Sequence, residues 1–228
     1  MTGRPPGPPM RAAIFDLDGT LLDTLEDIAS AMDFALQRHG LPPRSLDEYR
    51  QFIGEGVRNL VRRAVGASGG QGELEAEVMT AYRRRYEERM AVATRPYPGV
   101  NELLEGLRAR GVPAAVLSNK PDDATRALVE RFFPGRVAVA RGERPSAPRK
   151  PDPTSALEVA RALGVAPAGC LFAGDTRVDM ETANRAEMFA VGVLWGFRSR
   201  EELEASGARA LVAAPEEILR LRWGGSDA

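Results

Sequence analysis

Short apolar runs at Pro113–Leu117, Arg136–Ala140, Cys170–Ala173 and Phe189–Leu194, with a weaker one at Ala210–Ala213, alternate with stretches of helical character; this rhythm constrains the fold most. Runs of four to six apolar residues suit strands buried on both faces, and a helix between successive strands returns the chain for parallel pairing. The punctuation agrees. Pro98-Gly99 precedes Asn101-Glu102-Leu103-Leu104, and Asp152-Pro153 opens a helical stretch from Thr154 to Leu163 that stops at Gly164. An earlier run, Arg11–Phe15, reads as another buried strand ending at Asp16.

From about Thr24 to Ala93 the rhythm breaks. Ile28, Met32, Ala35 and Leu36 share a helical face that ends at Gly40, and Ser45-Leu46-Asp47-Glu48 is a capping-box pattern for a second helix. Val57, Leu60, Val61 and Ala64 form a third stripe, and Leu74, Val78, Ala81, Tyr82 and Tyr86 a fourth. Four amphipathic helices can bury these stripes on one another. The expectation is an α/β protein: a Rossmann-like three-layer parallel sheet formed by residues 10–23 and 94–228, a four-helix insert at 24–93, and a flexible tail at 1–9.

Composition limits the partners. With 31 basic and 32 acidic residues, the formal net charge of −1 gives no overall attraction to nucleic acid or a membrane surface, so small or locally steered ligands are expected. The Pro-rich start lacks the apolar stretch of a signal peptide, and no run approaches a membrane span. A single cysteine, Cys170, lies within an apolar run and is expected to be a buried, unreactive packing residue. A reducing cytoplasm fits these features.

The chemistry-bearing motif is Asp16-Leu17-Asp18-Gly19-Thr20, at the end of the first strand. Asp16, ionised at neutral pH, can attack phosphorus without a base, and Asp18, two residues on, can protonate the leaving oxygen and then deprotonate water. Gly19 permits a tight turn, while the Thr20 hydroxyl offers a phosphate contact. An acidic turn after a strand would look the same in isolation. An anionic nucleophile meeting an anionic ester, however, requires nearby positive charge. Asp175 and Asp179, in Gly174-Asp175-Thr176-Arg177-Val178-Asp179, follow another strand and place two more carboxylates at a strand end, where oxygen ligands for a hard cation point to Mg²⁺. Lys150, in Arg149-Lys150-Pro151-Asp152-Pro153, where prolines fix the backbone, supplies a cation. Ser118, Asn119 and Lys120 follow a third strand, just before the helix opened by Pro121, where a hydroxyl and amides can meet phosphate. All these groups fall at the C-terminal ends of parallel strands, where open α/β sheets bind ligands.

In this order the motifs resemble those of the haloacid dehalogenase superfamily, in particular its phosphoglycolate phosphatase-like branch, over nearly the whole chain after Met10. The resemblance implies that Asp16 is the nucleophile and Asp18 the general acid/base. Asp16, the Asp18 backbone carbonyl and Asp175 would hold Mg²⁺, with Asp179 orienting the metal's waters. Ser118 and Lys150 would bind the phosphoryl group, and the helical insert would be a mobile cap over a small phosphorylated metabolite.

Selectivity is then expected in the cap. Gly54 and Gly56 allow close backbone approach to a ligand, and Arg58 could pair with a carboxylate; the surrounding segment is similar to phosphoglycolate phosphatases. Arg83-Arg84-Arg85 reads as a solvated helix face, and His39 as a helix-terminal cation. Trp195 reads as packing beside the site. The expected activity is hydrolysis of 2-phosphoglycolate through an aspartyl-phosphate. A sugar-phosphate mutase or sugar-phosphate phosphatase would use the same core residues. A phospho-accepting signalling module combines similar residue types, but carries its aspartate on the third strand rather than the first.

Overall fold

A computed structural model describes residues 10–66 and 72–221, so the expected tail at 1–9 lies outside the described residues. The core is a six-stranded sheet of β1 (Ala12–Phe15), β4 (Ala114–Pro121), β5 (Val139–Glu143), β6 (Cys170–Gly174), β7 (Phe189–Val193) and β8 (Ala210–Val212), in the order β5-β4-β1-β6-β7-β8. Every pairing in it is parallel. β1 is central, with Phe15 in register with Val116 on one side and Ala173 on the other, and all four of its residues are buried. Connections leave β1's two neighbours in opposite directions along the sheet, opening a crevice at the strands' C-terminal ends.

Helices cover both faces of the sheet. Ala13, Phe15, Val116, Leu171 and Val191 pack on one side with α5 (Val100–Ala109) and α6 (Asp122–Phe132); α10 (Pro215–Ile218) completes this layer. Ala12, Ile14, Ala115, Cys170 and Phe172 face the other way, toward α7 (Thr154–Ala162) and α8 (Arg177–Arg185), with Leu203 of α9 (Arg200–Ala205). Alternation along each strand thus feeds two apolar layers. Cys170 is buried, and burial pushes its thiol up to about 11.

The expected strand at Arg136–Ala140 begins later, at Val139, because Phe133–Arg136 closes a turn in which the Arg136 amide bonds the Phe133 carbonyl. Ser118, Asn119 and Lys120 do not follow β4 but lie within it, where a register irregularity separates Leu117 from Pro121.

Between β1 and α5, α1 (Leu25–Arg38), α2 (Leu46–Phe52), α3 (Val57–Val65) and α4 (Glu73–Arg89) surround a third apolar cluster containing Ile28, Met32, Leu60, Val61, Val78 and Tyr82. The Ser45–Glu48 capping box is formed. Two short strands, β2 (Leu22–Asp23) and β3 (Arg95–Pro96), pair antiparallel where the chain enters and leaves this helical group. Buried Asp27 ties the two crossings together by accepting hydrogen bonds from the Ala93 and Thr94 amides and the Thr94 hydroxyl. No helix among the described residues is long and apolar enough to cross a membrane.

Candidate active site

Three carboxylates converge where β1 and β6 end. Oxygen atoms of Asp16, Asp175 and Asp179 lie within 4.8 Å of one another, and all three residues are buried. Each is placed by backbone geometry: Asp16 directly follows β1, its amide bonded to the Ala173 carbonyl, Asp175 directly follows β6, and Asp179 is in the first turn of α8. Asp179 caps α8 by accepting from the Thr176 amide and hydroxyl at 3.0 and 2.6 Å. Asp175 accepts from the Thr20 hydroxyl and the Phe197 amide, both at 2.9 Å.

So many acids cannot be buried together without compensation. Lys150 supplies part of it: its ammonium lies 3.0 Å from Asp16 and 2.7 Å from Asp179. Burial opposes charge on Lys150, but the two carboxylates outweigh burial and hold its pKa above the usual lysine range. Burial lifts Asp16 to about 6 despite Lys150, with Asp179 and Asp18 adding to the rise, and lifts Asp175 to about 8 with help from Asp179 and Asp16. The Lys150 contact to Asp16 is ionic without hydrogen-bond alignment, so the buried Oδ1 of Asp16 retains an unused acceptor. An oxygen-only trio with excess negative charge and an unused lone pair fits a hard divalent cation.

Asp18 stands outside that trio. Both its carboxylate oxygens lie 2.9 Å from the Lys120 ammonium, and one also accepts from the Thr24 hydroxyl at 2.7 Å. Gly19 makes the arrangement possible. Its φ is +82°, and a Cβ there would lie 2.4 Å from an Asp175 oxygen.

Asp16, Asp18, Ser118, Asn119 and Lys120 open onto one cavity of about 520 Å³, roofed by Ile53, Gly54, Val57 and Leu60 and by Tyr82 and Tyr86 of α4. Several residues singled out from sequence have different partners from those expected. The Thr20 hydroxyl is fully buried and holds Asp175 rather than facing phosphate. Lys120 is engaged by Asp18. The amide group of Asn119 is committed to the carbonyls of Gly54 and Lys150, at 3.1 and 3.0 Å. Arg58 is exposed on α3 and is not among the cavity-lining residues, because the face of α3 that turns inward carries Leu60, Val61, Ala64 and Val65. Gly54 and Gly56 do line the cavity, but their closest approach is to the core: a Cβ on Gly56 would lie 2.8 Å from the Arg149 guanidinium.

Two arginines outside the expected site complete the walls: Arg83, expected on a solvated helix face, borders the cavity beside Tyr82 and Tyr86, as does Arg144. The signal was present in the spacing, since positions 82, 83 and 86 of a helix share an edge. Trp195 packs as expected and donates its indole N–H to the Thr20 carbonyl at 2.9 Å.

A parallel sheet presenting an aspartate pair after its central strand, a lysine and a further acidic pair after a neighbouring strand defines a class of hydrolases with an α/β core. The chain belongs to the haloacid dehalogenase-like hydrolase family, whose model matches residues 10–187, and it is a phosphatase of that family. It is 33% identical to the phosphoglycolate phosphatase of Pseudomonas putida, across 91% of this chain and 78% of that protein. It is also 32% identical to the N-acetylmuramic acid 6-phosphate phosphatase of Pseudomonas aeruginosa, across 92% of this chain and 93% of that protein. Among solved structures, a candidate phosphoglycolate phosphatase from Lactobacillus delbrueckii subsp. bulgaricus superposes with a TM-score of 0.87 at 33% identity, covering 93% of this chain and 98% of that one.

Proposed function

We propose that this phosphatase hydrolyses a small phosphorylated hydroxy acid, with 2-phosphoglycolate as the reference substrate, through an aspartyl-phosphate on Asp16. The observation that carries the reading is the Asp16–Lys150–Asp179 ion-pair chain, which sets one carboxylate of a buried acidic trio at the floor of the cavity. The proposed substrate also draws on the phosphoglycolate phosphatases to which the chain is similar.

In the first half-reaction a carboxylate oxygen of Asp16 forms a bond to phosphorus as the ester P–O bond breaks, and Asp18 gives a proton to the departing alkoxide. In the second, Asp18 removes a proton from water as water attacks phosphorus, releasing phosphate and restoring Asp16. Asp16 titrates at about 6 and is therefore mainly ionised at neutral pH. Lys150 offsets charge beside it, and Ser118 lines the same cavity as a phosphoryl contact. Mg²⁺, held by Asp16, Asp175 and the Asp18 carbonyl with Asp179 beside it, would neutralise charge on the transferring phosphoryl group.

The group α1–α4 acts in this reading as a cap over the cavity. Its loop at Ile53–Gly56 meets the core through Asn119, Arg149 and Arg198, which donate to the carbonyls of Gly54, Glu55 and Ile53 respectively. Such closure excludes water from the ester.

The test is phosphate release from phosphoglycolate, sugar phosphates, nucleotides and pyrophosphate, with and without Mg²⁺. Mg²⁺-dependent release from phosphoglycolate that is lost in Asp16→Asn is the expected result. Failure on every ester, or full activity in that variant, overturns the reading.

A further inference from the structure

Among the described residues three cations line the cavity, and two are engaged within the protein. Lys120 is paired with Asp18, and Arg144 with Glu158. The third, Arg83, has no ion pair or hydrogen bond among the described residues; Glu87, one turn further along α4, also lines the cavity but does not pair with it. An arginine left unpaired at the mouth of a partly apolar cavity is available to an incoming anion, and its planar fork matches a carboxylate in two-point geometry.

The walls beside it set the size and character of what can bind. Tyr82 and Tyr86 stack with ring centroids 5.5 Å apart, and the Lys120 ammonium lies 4.7 Å from the Tyr86 ring centroid. This aromatic wall therefore adjoins the Asp18–Lys120 pair and lines the same cavity as Arg83. Ile28, Ile53, Val57 and Leu60 face the same space. At about 520 Å³ the cavity falls within the roughly 300–1,000 Å³ range of pockets that enclose ligands of many more atoms than phosphoglycolate.

We infer that Arg83 is a specificity-determining residue that takes the carboxylate of a leaving group long enough to span the Tyr82–Tyr86 wall, and that the site accepts carboxylated phosphomonoesters with a ring-sized body as well as phosphoglycolate. The inference rests on the phosphatase reading above. In the bound ester the phosphoryl group lies at Asp16, the body against Tyr82, Tyr86 and Leu60, and the carboxylate at Arg83.

Five phosphomonoesters test this with Mg²⁺ present: 2-phosphoglycolate, p-nitrophenyl phosphate, N-acetylmuramic acid 6-phosphate, N-acetylglucosamine 6-phosphate, which lacks the carboxylate, and cationic glucosamine 6-phosphate. The expected wild-type kcat/KM for N-acetylmuramic acid 6-phosphate is within about tenfold of that for phosphoglycolate and at least about tenfold above that for N-acetylglucosamine 6-phosphate, the scale of one charge-assisted hydrogen bond. Arg83→Gln removes that preference by lowering turnover of N-acetylmuramic acid 6-phosphate far more than that of p-nitrophenyl phosphate, and Arg83→Lys restores part of it. The inference is overturned if Arg83→Gln leaves the ratio unchanged, if the larger carboxylated ester is not cleaved while phosphoglycolate is, or if glucosamine 6-phosphate is preferred. A wild-type enzyme inert toward every ester, p-nitrophenyl phosphate included, overturns the phosphatase reading itself.

Discussion

Lys120 grips Asp18 with its ammonium 2.9 Å from both carboxylate oxygens, against the face of Tyr86. This contact fixes the carboxylate proposed to give a proton to the leaving oxygen and to take one from water, and Thr24 fixes it from a second direction. Replacing Lys120 with Met keeps the length of the stem but frees Asp18 to rotate. A fall in kcat of about 10- to 100-fold is expected, within the scale of a general acid/base contribution. Steady-state kinetics on p-nitrophenyl phosphate will measure it; an unchanged kcat in a folded variant would show that Asp18 needs no such anchor.

Thr20 acts on Asp175 from within the protein. Thr20→Val removes the donor to Asp175 while keeping side-chain volume, so the Mg²⁺ concentration for half-maximal activity should rise about 10- to 100-fold, as for other groups that orient a metal ligand. Thr20→Ser should retain most of the affinity. A valine variant with wild-type Mg²⁺ dependence would place Thr20 outside the metal's support.

Burial gives the metal-free protein a definite pH response. Asp16 and Asp175 titrate at about 6 and about 8 in the folded chain, above the ordinary carboxylate value near 4. The folded state therefore holds protons that the unfolded chain releases. The stability linked to these protons is complete below about pH 4 and is lost as pH rises through about 6 and then about 8. In chelator, the melting temperature should fall between pH 5 and pH 8. Added Mg²⁺ should raise it more at pH 8, where the carboxylates are free of protons. Equal Mg²⁺ shifts at both pH values would contradict the assignment.

Arg198 reaches from the core to the carbonyls of Arg50, Gln51 and Ile53, at the C-terminal end of α2, where a cation is favoured by the helix dipole. Arg198→Ala removes all three contacts. Faster amide hydrogen exchange over residues 50–56 is expected, together with a several-fold loss of kcat/KM for the preferred ester. Unaltered exchange would mean that the loop is held by Asn119 and Arg149 alone.

Much of this protein was legible before folding because its information is local. The run Arg11–Phe15 ends at Asp16, and a buried central strand must deliver the next residue to the sheet's C-terminal edge. The same logic held for Asp175 after β6. Asp179 had a further local cue, the Thr176 capping position three residues before it. The alternation of apolar runs gave the parallel core, and the stripes at Ile28–Leu36 and Leu60–Ala64 gave the helical insert. Cys170 proved to be the buried residue its apolar context suggested.

The sequence by itself determined that Asp16 and Asp175 follow buried strands and that Asp179 opens the next helix, because strand alternation and motif spacing act over a few residues. Tertiary structure decided their partners. Thr20 meets Asp175, Lys120 meets Asp18, and Asn119 joins Gly54 to Lys150 across sequence separations of 155, 102, 65 and 31 residues, distances over which local periodicity carries no information. To the cavity, which Arg144 borders as well, it also brought Arg83 rather than Arg58. Both lie on amphipathic helices, and only the packing of those helices over the sheet sets which edge faces the Asp16–Asp18 end of the strand.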